Sequence, residues 1–305
     1  MNSAPTFAEF FANWSIFRDA VATGALAGAL LGFLGVQIVL RRMVFASSAI
    51  AQAAALGVAL SFWVPAAIDP VGHAARHAAD PNAHIVPFLF EPVLWALCAS
   101  LLATLAFVAN PVKLHLTRES VLGVVFLAGA AGAVIIGDRI TQESHDLAAI
   151  LFGSAVVVER SDLVLVALAT VLVLGIHIAL WRPLIFVAFD PIGARVQGLP
   201  ARSLNLFVFL AVGIAVALCT RALGALPVFA FSVLPAMAAL ASTSNLTIAF
   251  GMATAIGAVA GSAGYAVSFR AELPVGATQS AVALAILALA LSRRGVERLL
   301  NRNTH

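Results

Sequence analysis

Residues 16–40 read IFRDAVATGALAGALLGFLGVQIVL, and after Asp19 no ionisable side chain follows until Arg41. A helix needs about 20 apolar residues to cross a bilayer, and this run is long enough. Within it Gly24, Gly28 and Gly32 recur at every fourth position. That spacing lines small residues along one helix face and lets a neighbouring backbone approach closely. The stretch predicts a membrane-spanning helix packed tightly against another, and Gly257-x-x-x-Gly261 offers a second face of the same kind.

Eight further apolar runs follow, near 46–65, 91–109, 120–137, 161–181, 203–220, 223–242, 246–268 and 274–292. Composition agrees with that count. The 305 residues are 62% hydrophobic and only 10% charged, with a mean hydropathy of +1.04. A soluble domain carries roughly 25% charged residues, so this chain has too few to solvate a soluble surface. The expected fold class is an all-α polytopic membrane protein of about eight or nine transmembrane helices, forming one transmembrane domain over residues 1–305. The N-terminal residues show no basic stretch and no small-residue cleavage site after a short apolar core, so no cleaved signal peptide is expected. Cys98 and Cys219 each lie inside an apolar run. They read as free, buried thiols, and there is no CxxC pair.

Charge sets the orientation. With Met1 outside and the runs crossing alternately, 11 of the 17 Lys and Arg residues fall inside, among them Arg41, Arg42, Lys113, Arg118, Arg182, Arg195 and Arg202. Of the 14 acidic residues only three, Glu119, Asp190 and Glu297, fall on that side. An excess of Lys and Arg on the cytoplasmic side is the rule for membrane proteins. The loop 66–91 is then external and the segment 187–202 cytoplasmic.

The sequence excludes several chemistries. No Gly-rich segment leads into Lys-Ser or Lys-Thr, so the chain has no P-loop, and HExxH and GxSxG are absent. The chain does not read as an enzyme. No covalently bound cofactor and no nucleic-acid partner are expected, and any ATP hydrolysis falls to another subunit. The external loop offers His73, His77, Asp80 and His84 as candidate metal ligands. His73 and His77 are four apart, and imidazole is a common zinc ligand; a solvated loop with scattered histidines is the other reading. A second external stretch holds Asp138, Glu143, His145, Asp146, Glu159 and Asp162. It reads as a weak attractor of cations, as a rim for a binding protein, or as the acidic half of the charge bias. His177 lies within an apolar run near its cytoplasmic end, where a functional group and a snorkelling structural one are equally consistent. In 187–202, Asp190 and Gly193 suit a turn and a helix start. Arg195 and Arg202 give a charged face and Val196 and Leu199 an apolar one, a pattern fit for the groove of a soluble partner or for rest at the interface.

Three segments, taken in order, resemble the permease family of zinc/manganese-type metal-ion ABC importers. The first runs from Arg41-Arg42-Met43 to Ala55-Leu56-Gly57-Val58-Ala59. The second is Leu151-Phe152-Gly153-Ser154 with Ser161-Asp162-Leu163 after it. The third is Phe189-Asp190-Pro191-Ile192-Gly193-Ala194-Arg195-Val196-Gln197-Gly198-Leu199-Pro200, continued by Leu223-Gly224-Ala225-Leu226 and by Val233-Leu234-Pro235-Ala236-Met237-Ala238-Ala239. The resemblance extends from about residue 16 to 292. It implies a type II importer-like permease in a bacterial inner membrane, paired as a homodimer among lipid. It also implies a cytoplasmic ABC ATPase, an external substrate-binding protein, and transported Zn2+ or Mn2+. It places ATPase docking on Asp190, Gly193, Arg195 and Gly198. The family's Asp-x-x-x-His pair, on the helix lining the substrate path, maps onto Ser48 and Gln52, one turn apart on one face. A hydroxyl and an amide are neutral and weak beside the carboxylate and imidazole they replace. A metal chelate, siderophore or cobalamin-like cargo is therefore the alternative reading. A secondary transporter without an ATPase is the second alternative, although no two-half repeat is evident.

Overall fold

The computed structural model describes residues 6–68, 89, 91–108, 117–139 and 158–302. Among the described residues the regular structure is helical throughout, with no strand. We number the helices α1 (Phe7–Ala12), α2 (Trp14–Leu40), α3 (Val44–Ile68), α4 (Pro92–Val108), α5 (Arg118–Arg139), α6 (Arg160–Ala179), α7 (Trp181–Phe189), α8 (Pro191–Val196), α9 (Ala201–Leu223), α10 (Ala225–Ser242), α11 (Leu246–Ala271) and α12 (Val275–Arg302). Eight of these are long and apolar enough to cross a membrane, and α4 is a shorter apolar helix of 17 residues. The nine runs of the sequence thus reappear as eight full-length helices and one short one.

Apolar burial cannot by itself drive helices together in lipid, so packing and small residues must. The glycine repeat of α2 meets the glycines of α11. A Cβ at Gly28 would lie under 3.0 Å from the carbonyl of Gly257, and one at Gly257 would strike the carbonyl of Gly28. Gly32 meets the carbonyl of Ala253, and Gly261 meets that of Gly24. Each backbone fills the space the other's side chain would need. Gly35 repeats the device against Ser232 of α10, Gly57 of α3 against Trp95 of α4, and Gly129 of α5 against Gln52 of α3. The main core lies around α2, between α3, α9, α10 and α11, with Leu30, Leu31, Leu34, Val216 and Phe231 fully enclosed. Cys219 is buried there, but Cys98 is exposed on α4. The run that holds Cys98 is apolar on all sides, so apolarity did not reveal which face turns inward.

The turn from α2 to α3 is short and strained. The amide of Met43 donates to the carbonyl of Ile38 and that of Arg42 to Val39, each 3.0 Å. This is the paired bonding of a Schellman cap, which needs a left-handed residue. Arg42 supplies it with φ 56°, at about 1 kcal/mol for an L side chain. The turn after α8 uses the same bonding, from Leu199 to Ala194 and from Gly198 to Arg195, but there Gly198 adopts φ 80° without that strain.

Candidate functional site

Ser48 and Gln52 lie on α3, which is enclosed by α2, α4, α5, α9 and α10. Ser48 is 6% exposed. Gln52 is partly buried, and its Oε1 is fully enclosed with no hydrogen-bond partner. Gly129 of α5 lies against the Gln52 backbone, which brings α5 over this face of α3. One residue before Ser48, the Ser47 hydroxyl accepts from Ser232 of α10 at 2.9 Å. An acceptor without a donor inside a bundle costs about 1–3 kcal/mol, and it leaves a carbonyl oxygen with its acceptor capacity unused.

Most hydroxyls in these helices bond back to the preceding turn, as Thr104 does to Ser100 and Thr170 to Val166, each at 2.7 Å. Among the described residues the enclosed polar atoms left over are Gln52 Oε1, His177 Nε2, Thr220 Oγ1 and Gln279 Oε1. His177 does not reach toward an interface. It is buried, its Nδ1 donates to the carbonyl of Val173 at 2.8 Å, and its ring packs against Phe33 and Phe207. Among the described residues no group of three or more His, Cys, Asp or Glu is placed to hold a metal ion. His73, His77, Asp80 and His84 lie outside the described residues, as do most of loop 66–91, Glu143, His145, Asp146 and the segment 151–154.

The segment 187–202 folds into the end of α7, all of α8 and the start of α9. Asp190 caps α8, its Oδ1 accepting from the Gly193 amide at 2.7 Å, with Pro191 in the first turn. Gly193 has no room for a Cβ, which would strike the capping carboxylate. Val187, Ala194 and Ala201 are buried and carry Leu199 and Leu204 against them. Phe189, Ile192 and Val196 project outward at 64%, 70% and 84% exposure. Val196 and Leu199 therefore do not share one apolar face. The left-handed turn at Gly198 reverses the chain between them, so Leu199 turns in and Val196 out.

Two polar clusters that sequence reasoning missed mark opposite ends of the bundle. At one end, Arg221 of α9 pairs with Asp162 of α6 at 2.8 Å, Glu91 ahead of α4 at 3.5 Å and Glu159 ahead of α6 at 3.9 Å. At the other, Arg41 holds Gln37, Asn205 and Leu184. The charge bias puts Glu91, Glu159 and Asp162 on the outer side and Arg41 on the inner one, but nothing in the sequence showed which residues they touch.

The model of the ABC 3 transport family matches residues 13–294. The manganese transport system membrane protein MntC of Halalkalibacterium halodurans is 24% identical over 246 residues, 81% of this chain and 76% of that protein. The high-affinity zinc uptake system membrane protein ZnuB of Haemophilus influenzae is 22% identical over 226 residues, 74% of this chain and 77% of that one. Among solved structures, PsaBC from Streptococcus pneumoniae in complex with Fab superposes with a TM-score of 0.78 at 19% identity, covering 93% of this chain and 95% of that chain.

Proposed function

The chain belongs to the ABC 3 transport family and is a multi-pass permease of the bacterial cell membrane; from that premise we propose that it imports a divalent metal ion along α3, with manganese its better cargo. The observation that carries the choice is the enclosed Gln52 Oε1 without a partner, one turn from the buried hydroxyl of Ser48. Both groups are neutral oxygen donors. Oxygen ligands suit manganese, whereas imidazole and thiolate suit zinc. Weak ligands also suit a relay, because an ion that passes through must leave as readily as it enters.

In this reading the end bearing Arg41 and α8 faces the cytoplasm, and the end bearing Arg221 faces outward, in keeping with the charge bias of the loops. A cytoplasmic ATPase docks on α8 through Asp190, Gly193, Arg195 and Gly198 and their exposed neighbours. An external binding protein delivers the ion, and two permeases pair around the path. His73, His77, Asp80 and His84 stand as external ligands that collect the ion.

The test is uptake of radiolabelled manganese and zinc into liposomes containing the permease and ATPase, with the binding protein outside. Manganese entry that depends on ATP, at a rate above zinc, is the expected result. Uptake of neither free ion, with uptake of a chelated metal instead, overturns the proposal. In the same preparation Ser48→Asp with Gln52→His should raise zinc affinity by at least about tenfold, read by competition with a chelator. If the double variant binds zinc no more tightly than the wild type, the pair does not face the path.

A further inference from the structure

We propose that Arg41 is a positioning residue that carries displacement of the docking helix α8 into α3, by tying the helices on both sides of α8 to the end of α2. The proposal rests on the reading of α8 as the ATPase-docking helix.

Arg41 is the C-cap of α2. Its Nη1 donates to Oε1 of Gln37 one turn back, Nε donates to Oδ1 of Asn205 at 3.3 Å, and Nη2 donates to the carbonyl of Leu184 at 3.4 Å. Leu184 lies on α7, which leads into α8, and Asn205 lies on α9, which leads out of it. One guanidinium therefore grips both flanks of the docking helix and a helix of the central core. The planar fork of arginine can hold three acceptors in fixed directions at once, and an ammonium on a flexible stem cannot.

The anchors at both ends are firm. Gln37 and Leu184 are fully buried, so neither yields without moving its helix. Burial lowers the Arg41 pKa from its ordinary value to about 10, which leaves the side chain charged at neutral pH. On the other side, α3 begins at Val44, directly after the strained turn at Arg42. Strain of this kind persists where the surroundings over-determine it. A short, bonded turn has little slack, so a shift at Arg41 passes to α3 within its first turn, and Ser48 lies one turn further on. The connection thus runs from α8 along the backbone of α7 and α9 to Arg41, and from there through the turn into the helix that carries Ser48 and Gln52.

The experiment uses the permease co-expressed with its ATPase, purified through a tag on the ATPase and reconstituted in liposomes with the binding protein outside. Co-purification, ATP hydrolysis and manganese uptake are read on the same preparation. Arg41→Gln is expected to keep the complex together and hydrolysis within about twofold of wild type, while manganese moved per ATP falls at least about tenfold. Arg41→Lys, with the charge but without the fork, should lower that ratio by about threefold or more. Asn205→Leu, which severs one arm and leaves Arg41 on Gln37, should also lower it by about threefold. An unchanged ratio in Arg41→Gln overturns the proposal, and so does a wild-type Arg41→Lys. Loss of co-purification in Arg41→Gln overturns it as well, by making Arg41 part of assembly. If Arg41→Gln fails to reach the membrane, Asn205→Leu decides, and an unchanged ratio there sinks the idea. The docking reading fails separately if Val196→Glu combined with Ile192→Glu leaves the ATPase bound.

Discussion

Alanine at Gly28 or at Gly257 is expected to leave less than about a tenth of the wild-type yield of monodisperse permease in a detergent extract. Each added Cβ would press on the facing glycine carbonyl at under 3.0 Å, and what it meets is backbone rather than the end of a side chain. No rotamer change relieves that contact, so α2 and α11 must separate. The loss spreads along the crossing, because Gly24, Gly32, Ala253 and Gly261 share it. Overpacking a soluble core costs about 1–3 kcal/mol, and a clash between two backbones belongs at or above the upper end. Size-exclusion profiles of tagged protein check the effect. Gly175→Ala and Gly251→Ala are matched controls, since nothing lies within 4 Å of a Cβ at either position, and both should elute as wild type. Wild-type profiles for Gly28→Ala would mean that the two helices do not cross as described.

Val196→Glu combined with Ile192→Glu is expected to reduce co-purification of the ATPase at least about tenfold while leaving the permease itself intact. Both side chains point away from the bundle, and their removal opens no cavity, since the buried side of this segment is Val187, Ala194 and Ala201. Two carboxylates on an apolar knob must be desolvated when a partner closes over it. Arg195→Glu, on the same exposed helix, should weaken binding in the same direction. Gly193→Ala acts by another route, through the Asp190 cap, and loss of such a cap costs about 1 kcal/mol. A double variant that still brings down the ATPase in wild-type amount would remove α8 from the docking surface.

Much of the architecture was legible because a bilayer imposes few solutions. The apolar runs located the helices, and the fourfold glycine spacing of α2 and α11 identified the faces that pack. The pairing of those faces was not legible. A glycine face is complementary to any backbone, and only the assembled bundle shows that Gly28 meets Gly257 and Gly35 meets Ser232. The turn at Asp190 and Gly193 was readable from local rules, since the capping side chain and the amide it accepts from lie three residues apart. The orientation of Val196 was not, because it depends on the left-handed turn at Gly198. Arg41 illustrates the remaining gap. Its neighbour Arg42 and its acceptor Gln37 are visible in the sequence, but Leu184 and Asn205 lie far along the chain, and no periodicity links them. The candidate path is in a similar position. Ser48 and Gln52 were found through resemblance, whereas the enclosure of Gln52 Oε1 without a partner is a property of the packing.

The reciprocal contact of Gly28 and Gly257 also sets a timetable for biogenesis. Roughly 230 positions separate the two glycines, which at ordinary synthesis rates is on the order of 10–45 s of translation. During that interval the first long helix sits in the bilayer with its glycine face against lipid tails, which cannot enter the groove as a backbone does. It is then open to pairing with the same helix of another nascent chain. The last helices to emerge, α11 among them, therefore complete a surface that the first one has held open throughout synthesis. A fragment that ends before residue 246 lacks α11, and with it the backbone that fills this glycine face.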